Sequence, residues 1–445
     1  MIALALASAA RVLDATLHGA DARFHGVSTD TRSLRAGELF VALSGPRFDA
    51  HDMLGAAAAA GAAGAVVRAP RDIALPQVVV PDPRRALGVL ARDWRLRFGI
   101  PVLGVTGSAG KTTVKEMLGA ILAERWRTLV TRGNLNNDIG VPLTLFGLGP
   151  EHEAAVIEMG ANRAGDIALL ADIARPTVGL VTLCAPAHLE GFGDIDTVAR
   201  TKGEIYSGLG ADGIAIINAQ DTYSSLWHEM ATPRRVITFG AGGDVHAADI
   251  DSAGGGARFR LCTPVGARVV TINHRGRHNV DNALAAAAAA CAAGLGLDEI
   301  AAGLAAAAPV AGRLLTREVS PRLTVIDDSY NANPTAMHAA IAVLAECPGT
   351  KWLVLGDMGE LGAEAVRYHA EVGAAARAAG ITRLYTLGPL ATHAAREFGS
   401  GSAAFASDAA ELIAALSGAL AAAGEHVTVL VKGSRVMALE RVTAA

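Results

Sequence analysis

The sequence predicts an α/β protein of three domains: a small N-terminal α/β domain, a central P-loop domain built on a doubly wound, mainly parallel sheet, and a C-terminal Rossmann-like domain. Three observations carry that expectation. The chain has 445 residues, room for about three domains of roughly 150 residues each. From about residue 86 onward, short apolar runs alternate with Ala-rich helical stretches, the pattern of parallel strands joined by crossover helices. Polar clusters also follow several of those apolar runs directly, and ligands of open α/β sheets sit at the carboxyl ends of strands.

Composition narrows the class of function. Lys and Arg number 39 against 43 Asp and Glu, for a net charge of −4. No basic stripe runs beside clustered aromatics, which argues against a nucleic-acid partner. Cys184, Cys262, Cys291 and Cys347 are far apart and form no CxxC, a usage that suits a reducing compartment without disulfides or structural zinc. Residues 1–10 are apolar but lack a positive n-region, and Asp14 follows at once, so they read as a helix start and not a signal peptide. The best apolar run, 283–297, is shorter than the roughly 20 residues that span a bilayer. The expectation is a soluble, cytoplasmic protein with no stable membrane insertion.

The N-terminal domain, 1–85, has strand-like runs at 24–29 and 38–43 and an Ala-rich helix at 56–63, with Pro81-Asp-Pro83 as a linker. Between the strands lies Ser28-Thr-Asp-Thr-Arg32. It reads two ways: an Asx-type turn at Asp30, or a contact to a diphosphate or sugar nucleotide, because Arg32 offers a planar fork and Ser28 a hydroxyl.

In the central domain, 86–312, strands are expected at 100–106, 154–159, 177–182 and 213–217. The first runs into Thr106-Gly-Ser-Ala-Gly-Lys-Thr-Thr113. Strict P-loop spacing asks for a Gly five residues before Gly110, where this chain has Val105. The chemical parts are nevertheless present. Backbone N–H groups of Gly107, Ser108, Ala109 and Gly110 can surround phosphate oxygens, Lys111 adds a compact cation, the Thr112 hydroxyl suits Mg²⁺, and Thr113 continues into a helix. Glu158 ends the second strand, either as a solvated acid or as a Mg²⁺ ligand beside the phosphates. Asn134, Asn136 and Asn137 supply uncharged donors and acceptors in one loop, useful for holding a substrate or simply making a turn.

His188 in a loop and Lys202 on a helix read, from the residues alone, as structural or solvated. A hairpin is expected over 258–262 and 267–272, appended to the sheet. Asn279 and Asn282 stand at i,i+3 where the alanine helix opens, as an N-cap or as a pair facing a nucleobase. The alanine runs at 285–293 and 305–308 read as close helix packing. Gly312-Arg-Leu marks the start of the C-terminal domain, 313–445, with strands at 322–327, 351–355, 382–387 and 427–431. Its strand ends carry Asp327-Asp-Ser-Tyr-Asn-Ala-Asn-Pro334, Gly356-Asp-Met-Gly-Glu-Leu-Gly362 and Lys432-Gly-Ser-Arg435.

Those three clusters, with Ile157-Glu-Met-Gly-Ala-Asn162 and Gly133-Asn-Leu-Asn-Asn137, resemble the Mur ligases of peptidoglycan synthesis over essentially the whole chain. The Asp-Asn-Pro-Arg motif of the diaminopimelate-adding ligase is absent, which favours the dipeptide-adding branch. The resemblance implies an ATP- and Mg²⁺-dependent ligase, a monomer, that joins D-alanyl-D-alanine to UDP-N-acetylmuramoyl-tripeptide through an acyl phosphate. It implies that Ser28, Asp30, Arg32, Asn134, Asn136 and Asn137 serve the UDP substrate. Gly107 to Thr113, with Asn279, Asn282, Arg313 and Asp328, would serve ATP. Tyr330, Asn331, Lys432, Ser434 and Arg435 would add substrate contacts. Lys111, Glu158, His188 and Lys202 would be catalytic, and Thr112, Glu158, His188 and a carbamylated Lys202 would hold metal.

Overall fold

The computed structural model describes residues 1–46, 48–252 and 255–444. Three main sheets organise it. In the first, strands run Thr16–His18, Gln77–Val79, Gly64–Val67, Leu39–Val41 and Val27–Ser28 in spatial order; only the Thr16–His18 edge is antiparallel to its neighbour. The second is wholly parallel, in the order Thr128–Val130, Ala154–Glu158, Val102–Thr106, Val178–Val181, Ile214–Asn218, Arg235–Phe239. The third runs Leu315–Ser320, Leu323–Asp328, Val427–Lys432, Thr350–Gly356, Arg383–Leu387, Ser402–Phe405, parallel except for its first pair.

Several expected elements change on folding. Residues 1–10 begin as the strand Ala3–Ala5, paired antiparallel with Arg23–His25, before the helix Leu6–Val12; alternating Ile2 and Leu4 bury their side chains while Ala3 is exposed, a period of two. The run at 24–29 is two strands because Gly26 takes φ 99° between them. Pro83 is not linker: Asp82 accepts from the backbone N–H groups of Arg84 and Arg85 and caps the helix Pro83–Arg95, with Pro at a position where no N–H is needed. The hairpin Ala257–Thr263 with Gly266–Ile272 gains a third strand, His246–Asp251, and forms a sheet of its own.

The site is positioned by the second sheet and the helix Lys111–Ala123. That helix places Val114, Met117, Leu118, Ile121 and Leu122 on one face, all fully buried; the i, i+3, i+4, i+7 spacing makes this face. Each such side chain contributes about 1.5–3 kcal/mol on leaving water. The helices Arg277–Ala292 and Leu297–Ala306 pack against it in a common core. The approach is close. A methyl group added at Gly303 would lie 2.3 Å from the Cα of Ile121, and residues 283–290 are buried throughout, as the first alanine run led one to expect; the run at 305–308 differs, since Ala305, Ala306 and Ala308 are exposed and only Ala307 is buried. A further apolar cluster joins Ile2, Phe24 and Val80 to Leu87, Leu145 and Phe146, tying the first sheet to the flank of the second. Among the described residues no helix is long and apolar enough to cross a membrane.

Candidate active site

A cleft opens where the strand Val102–Thr106 gives way to its helix. Gly107 takes φ 143° and Gly110 φ 80°. A Cβ at Gly107 would lie 1.9 Å from Thr182 Oγ1, and one at Gly110 2.4 Å from Asn282 Oδ1, so both the backbone conformation and the space demand glycine. Thr182 Oγ1 donates to the Ala109 carbonyl at 2.6 Å, and Ser108 N–H donates to the Leu183 carbonyl at 2.9 Å. The neighbouring strand thus fixes the turn before any ligand arrives.

The cleft measures about 210 Å³. Ser108 to Thr113, Asn279, Asn282, Arg313, Asp328, Asn331 and Lys432 all line it. Its two walls come from the second and third sheets. Across it, Arg313 Nη2 donates to Thr112 Oγ1 at 3.0 Å, and Asn333 Nδ2 to the Ser108 carbonyl at 3.4 Å. The third-sheet wall carries an ion pair, Lys432 Nζ to Asp328 Oδ2 at 2.6 Å, with side chains only 4 % and 10 % exposed. Burial pushes the Asp328 carboxyl above the usual carboxylate range, against the pull of Lys432. Lys432 also donates to the Asn331 carbonyl at 2.9 Å. The Arg313 guanidinium lies 4.7 Å from the Tyr330 ring centre, with Arg435 at 5.7 Å, which anchors Tyr330 by cation–π attraction.

Lys111 Nζ donates to the Gly107 carbonyl at 2.7 Å. Burial lowers its pKa, Glu158 opposes that shift, and Arg313 adds to it. Glu158 is 2 % exposed, and Asn136 Nδ2 donates to its Oε1 at 2.7 Å. Its Oε2 is buried with no hydrogen-bond partner. Leaving such an oxygen unpaired is expensive, and a carboxylate oxygen held dry beside a phosphate cradle fits a divalent cation. Among the described residues no three His, Cys, Asp or Glu side chains converge, so any cation here would complete its shell from Thr112, nucleotide oxygens and water.

Lys202 is 2 % exposed, on the helix Ile195–Ser207, its Nζ 5.6 Å from the Phe192 ring centre. Burial first and the Lys111 charge second pull its pKa down to about 7. His188 sits at φ 54°, and its Nδ1 meets Glu360 Oε2. Burial holds the imidazole below its ordinary value, Glu360 pulls the other way, and the charges of Lys111 and Lys202 reach it.

Other expected site residues lie away from the cleft. Ser28, Asp30 and Arg32 form a self-contained turn. Ser28 Oγ donates to the Asp30 carbonyl at 3.0 Å, and Arg32, 89 % exposed, pairs with Asp30 at 2.6 Å and holds that carboxyl at about 2. Asn137 Oδ1 accepts from Ile139 and Gly140 N–H at the start of the helix Gly140–Leu145, and Asn134 is exposed. Ser434 Oγ accepts from Gly359 N–H at 2.7 Å and pins the 357–359 loop, while Arg435 pairs with Glu440 at 2.8 Å.

Sequence reasoning missed Thr182, Asn218, His278, Asp281 and Asn333, all lining the cleft. Asp281 Oδ1 is buried without a partner, and burial takes His278 down to about 4. His278 and Asp281 carried a local signal, flanking Asn279 and Asn282, and Asn333 lies within the strand-end cluster Asp327–Pro334. Lys115 was also missed: it donates to the Thr131 carbonyl at 2.7 Å, and Thr131 Oγ1 accepts from Glu158 N–H at 3.0 Å, a chain that steadies Glu158.

Comparison with known proteins agrees with this geometry. Residues 105–290 match the Mur ligase middle domain, and 312–435 the Mur ligase, glutamate ligase domain. The chain is 47 % identical to the UDP-N-acetylmuramoyl-tripeptide–D-alanyl-D-alanine ligase of Escherichia coli over 100 % of this chain and 98 % of that protein. The Bacillus subtilis ligase of the same name is 36 % identical over 82 % of this chain and 80 % of its own length. Among solved structures, MurF from Acinetobacter baumannii superposes with a TM-score of 0.95 at 38 % identity, covering 98 % of this chain and 97 % of that one. MurF from Thermotoga maritima in complex with ADP gives 0.83 at 29 % identity, covering 94 % and 96 %. With a phosphate turn closed by two obligate glycines, a cleft walled by two sheets, and relatives matched from end to end, the chain belongs to the Mur ligase family.

Proposed function

We infer that the chain is an ATP-dependent carboxylate–amine ligase that joins D-alanyl-D-alanine to UDP-N-acetylmuramoyl-tripeptide, giving UDP-N-acetylmuramoyl-pentapeptide, ADP and phosphate for peptidoglycan precursor synthesis. The observation that carries the chemistry is the cleft itself, a phosphate turn with Lys111 facing the buried Asp328–Lys432 wall, with the half-satisfied Glu158 near enough for its charge to act on Lys111. In this reading residues 1–85 bind the UDP end through Ser28, Asp30 and Arg32, with Asn134, Asn136 and Asn137 at the junction. Residues 86–312 bind ATP, and 313–445 support the nucleotide and the incoming dipeptide through Tyr330, Asn331, Lys432, Ser434 and Arg435.

A carboxylate is a poor electrophile. The tripeptide's terminal carboxylate oxygen attacks the γ-phosphorus, a new O–P bond forms, the β–γ bridge breaks, and ADP leaves. Lys111 and the N–H groups of the turn stabilise the charge that builds on the phosphoryl oxygens. The dipeptide amine then attacks the carbonyl carbon of the acyl phosphate, phosphate departs, and the nitrogen loses its proton. An amine of pKa about 7.7–8.0 is neutral in roughly a tenth of molecules at pH 7, so no strong base is demanded. Thr112 and Glu158 would hold one Mg²⁺, and His188 with a carbamylated Lys202 a second; when bound, these ions offset repulsion between the carboxylate and the triphosphate. The neutral Lys202 amine favoured by burial is the form that adds to CO₂: its nitrogen bonds the carbon, a proton is released, and an anionic carbamate results.

Phosphate release measured with ATP, Mg²⁺ and UDP-N-acetylmuramoyl-tripeptide tests this. Release is expected to require D-alanyl-D-alanine; release with a free amino acid alone would move the chain to a sister ligase. The Lys202 environment gives a second expectation. Its folded pKa of about 7 lies below the unfolded value of about 10.4, so between these the unfolded chain binds the extra proton and stability rises with pH. In CO₂-free buffer, the denaturation midpoint of wild type is expected to rise more steeply above pH 7 than that of Lys202→Met. Equal slopes would remove the buried amine as the cause.

A further inference from the structure

Glu360 comes from the loop after the third-sheet strand Thr350–Gly356, yet it reaches the His188 loop of the second sheet. Two links join them. Glu360 Oε2 meets His188 Nδ1, and Glu190 N–H donates to the Glu360 carbonyl at 3.4 Å. Both partners adopt a conformation that side chains disfavour, His188 at φ 54° and Glu360 at φ 61°, and such backbones persist where surrounding structure over-determines them, often at functional sites. Glu360 keeps 57 % of its side chain exposed, so the contact is not an incident of packing. Histidines that ligate metals commonly give their other ring N–H to a carboxylate, which fixes tautomer and ring orientation.

We propose that Glu360 is a positioning residue for His188: it accepts a hydrogen bond from Nδ1–H, leaves the Nε2 lone pair for a divalent cation, and so ties readiness of that ligand to the placement of the C-terminal domain. This rests on the reading of His188 as a cation ligand given above. A carboxylate on one domain thereby sets a ligand on another, and cation binding and domain placement become linked equilibria.

The test is Mn²⁺ titration of the full chain with a non-hydrolysable ATP analogue, followed by electron paramagnetic resonance. His188→Ala is expected to lose one class of bound Mn²⁺. Glu360→Gln is expected to weaken that same class by about 10- to 100-fold, the double variant to be no weaker than His188→Ala alone, and Glu360→Asp to recover part of the loss. Thermal unfolding of each variant checks the fold, which the exposed position of Glu360 should preserve. If His188→Ala loses Mn²⁺ while Glu360→Gln binds as wild type, or if the two losses add in the double variant, the positioning role is overturned and the ligand reading stands. Should His188→Ala retain all its Mn²⁺, the ligand reading itself fails, and the proposal with it.

Discussion

Lys111→Met is expected to lower kcat for phosphate release by about 10²–10³-fold, the scale on which removal of one preorganised donor to a developing anion acts. The reason lies in where its charge is kept. Lys111 Nζ rests on the Gly107 carbonyl at 2.7 Å, inside the turn that would cradle the phosphates, and burial already lowers its pKa. A half-buried cation with one carbonyl partner does little for folding, so the substitution should leave thermal stability unchanged or slightly raised while activity collapses. Steady-state kinetics and thermal unfolding on one preparation separate the two effects. A rise in the KM for ATP with kcat intact would instead assign Lys111 to uniform binding of nucleotide.

Asp328→Asn is expected to destabilise the chain by about 3 kcal/mol, because removing one partner of a buried pair strands the other charge. The partner is Lys432, whose Nζ would keep only the Asn331 carbonyl at 2.9 Å. The opposite substitution should be milder. Burial pushes the Asp328 carboxyl upward, so in Lys432→Met the acid can take a proton and become neutral, whereas a lysine stranded by Asp328→Asn is a costlier charge to discharge near neutral pH. Urea unfolding is expected to rank Asp328→Asn below Lys432→Met, with the double variant above the Asn single. The reverse order would mean that the Asn331 carbonyl steadies Lys432 better than the Leu314 N–H steadies Asp328.

Much of this architecture was legible in the sequence, for reasons that differ between elements. The phosphate turn could be read because its parts are consecutive: the strand, the two glycines and the lysine need no distant partner to be recognised. Glu158 was legible as the last residue of an apolar run. The strands Thr128–Val130 and Ser402–Phe405 were not, since a three- or four-residue edge of small or mixed side chains carries too little periodicity. Ser28, Asp30 and Arg32 were legible as an Asx-type turn, and their hydrogen bonds among themselves bear that reading out. Thr182 and Asn218 carried only the weak signal of standing at the carboxyl ends of expected strands; what singles them out is parallel register, which sets Thr182 beside Gly107 and Asn218 beside Thr182. The meeting of His188 with Glu360 spans 172 residues, and no spacing rule reaches so far.

The alanine seam beneath the phosphate turn has a consequence for how freedom is distributed in the molecule. Alanine has no rotamers to surrender, so ordering 285–290, alanine throughout, in the core shared with the helix Lys111–Ala123 costs almost no side-chain entropy. The neighbouring helix Leu297–Ala306 meets the helix Lys111–Ala123 at near-contact distance, at Gly303, where backbone rests on backbone. The floor of the nucleotide cleft is therefore stiff. Compliance is left to the polar links between the second and third sheets, few and side-chain-borne: Arg313 to Thr112, Asn333 to Ser108, and the Glu360 contacts to the His188 loop. Thermal motion in this protein should concentrate along that line, with the phosphate turn standing still while the C-terminal domain moves over it.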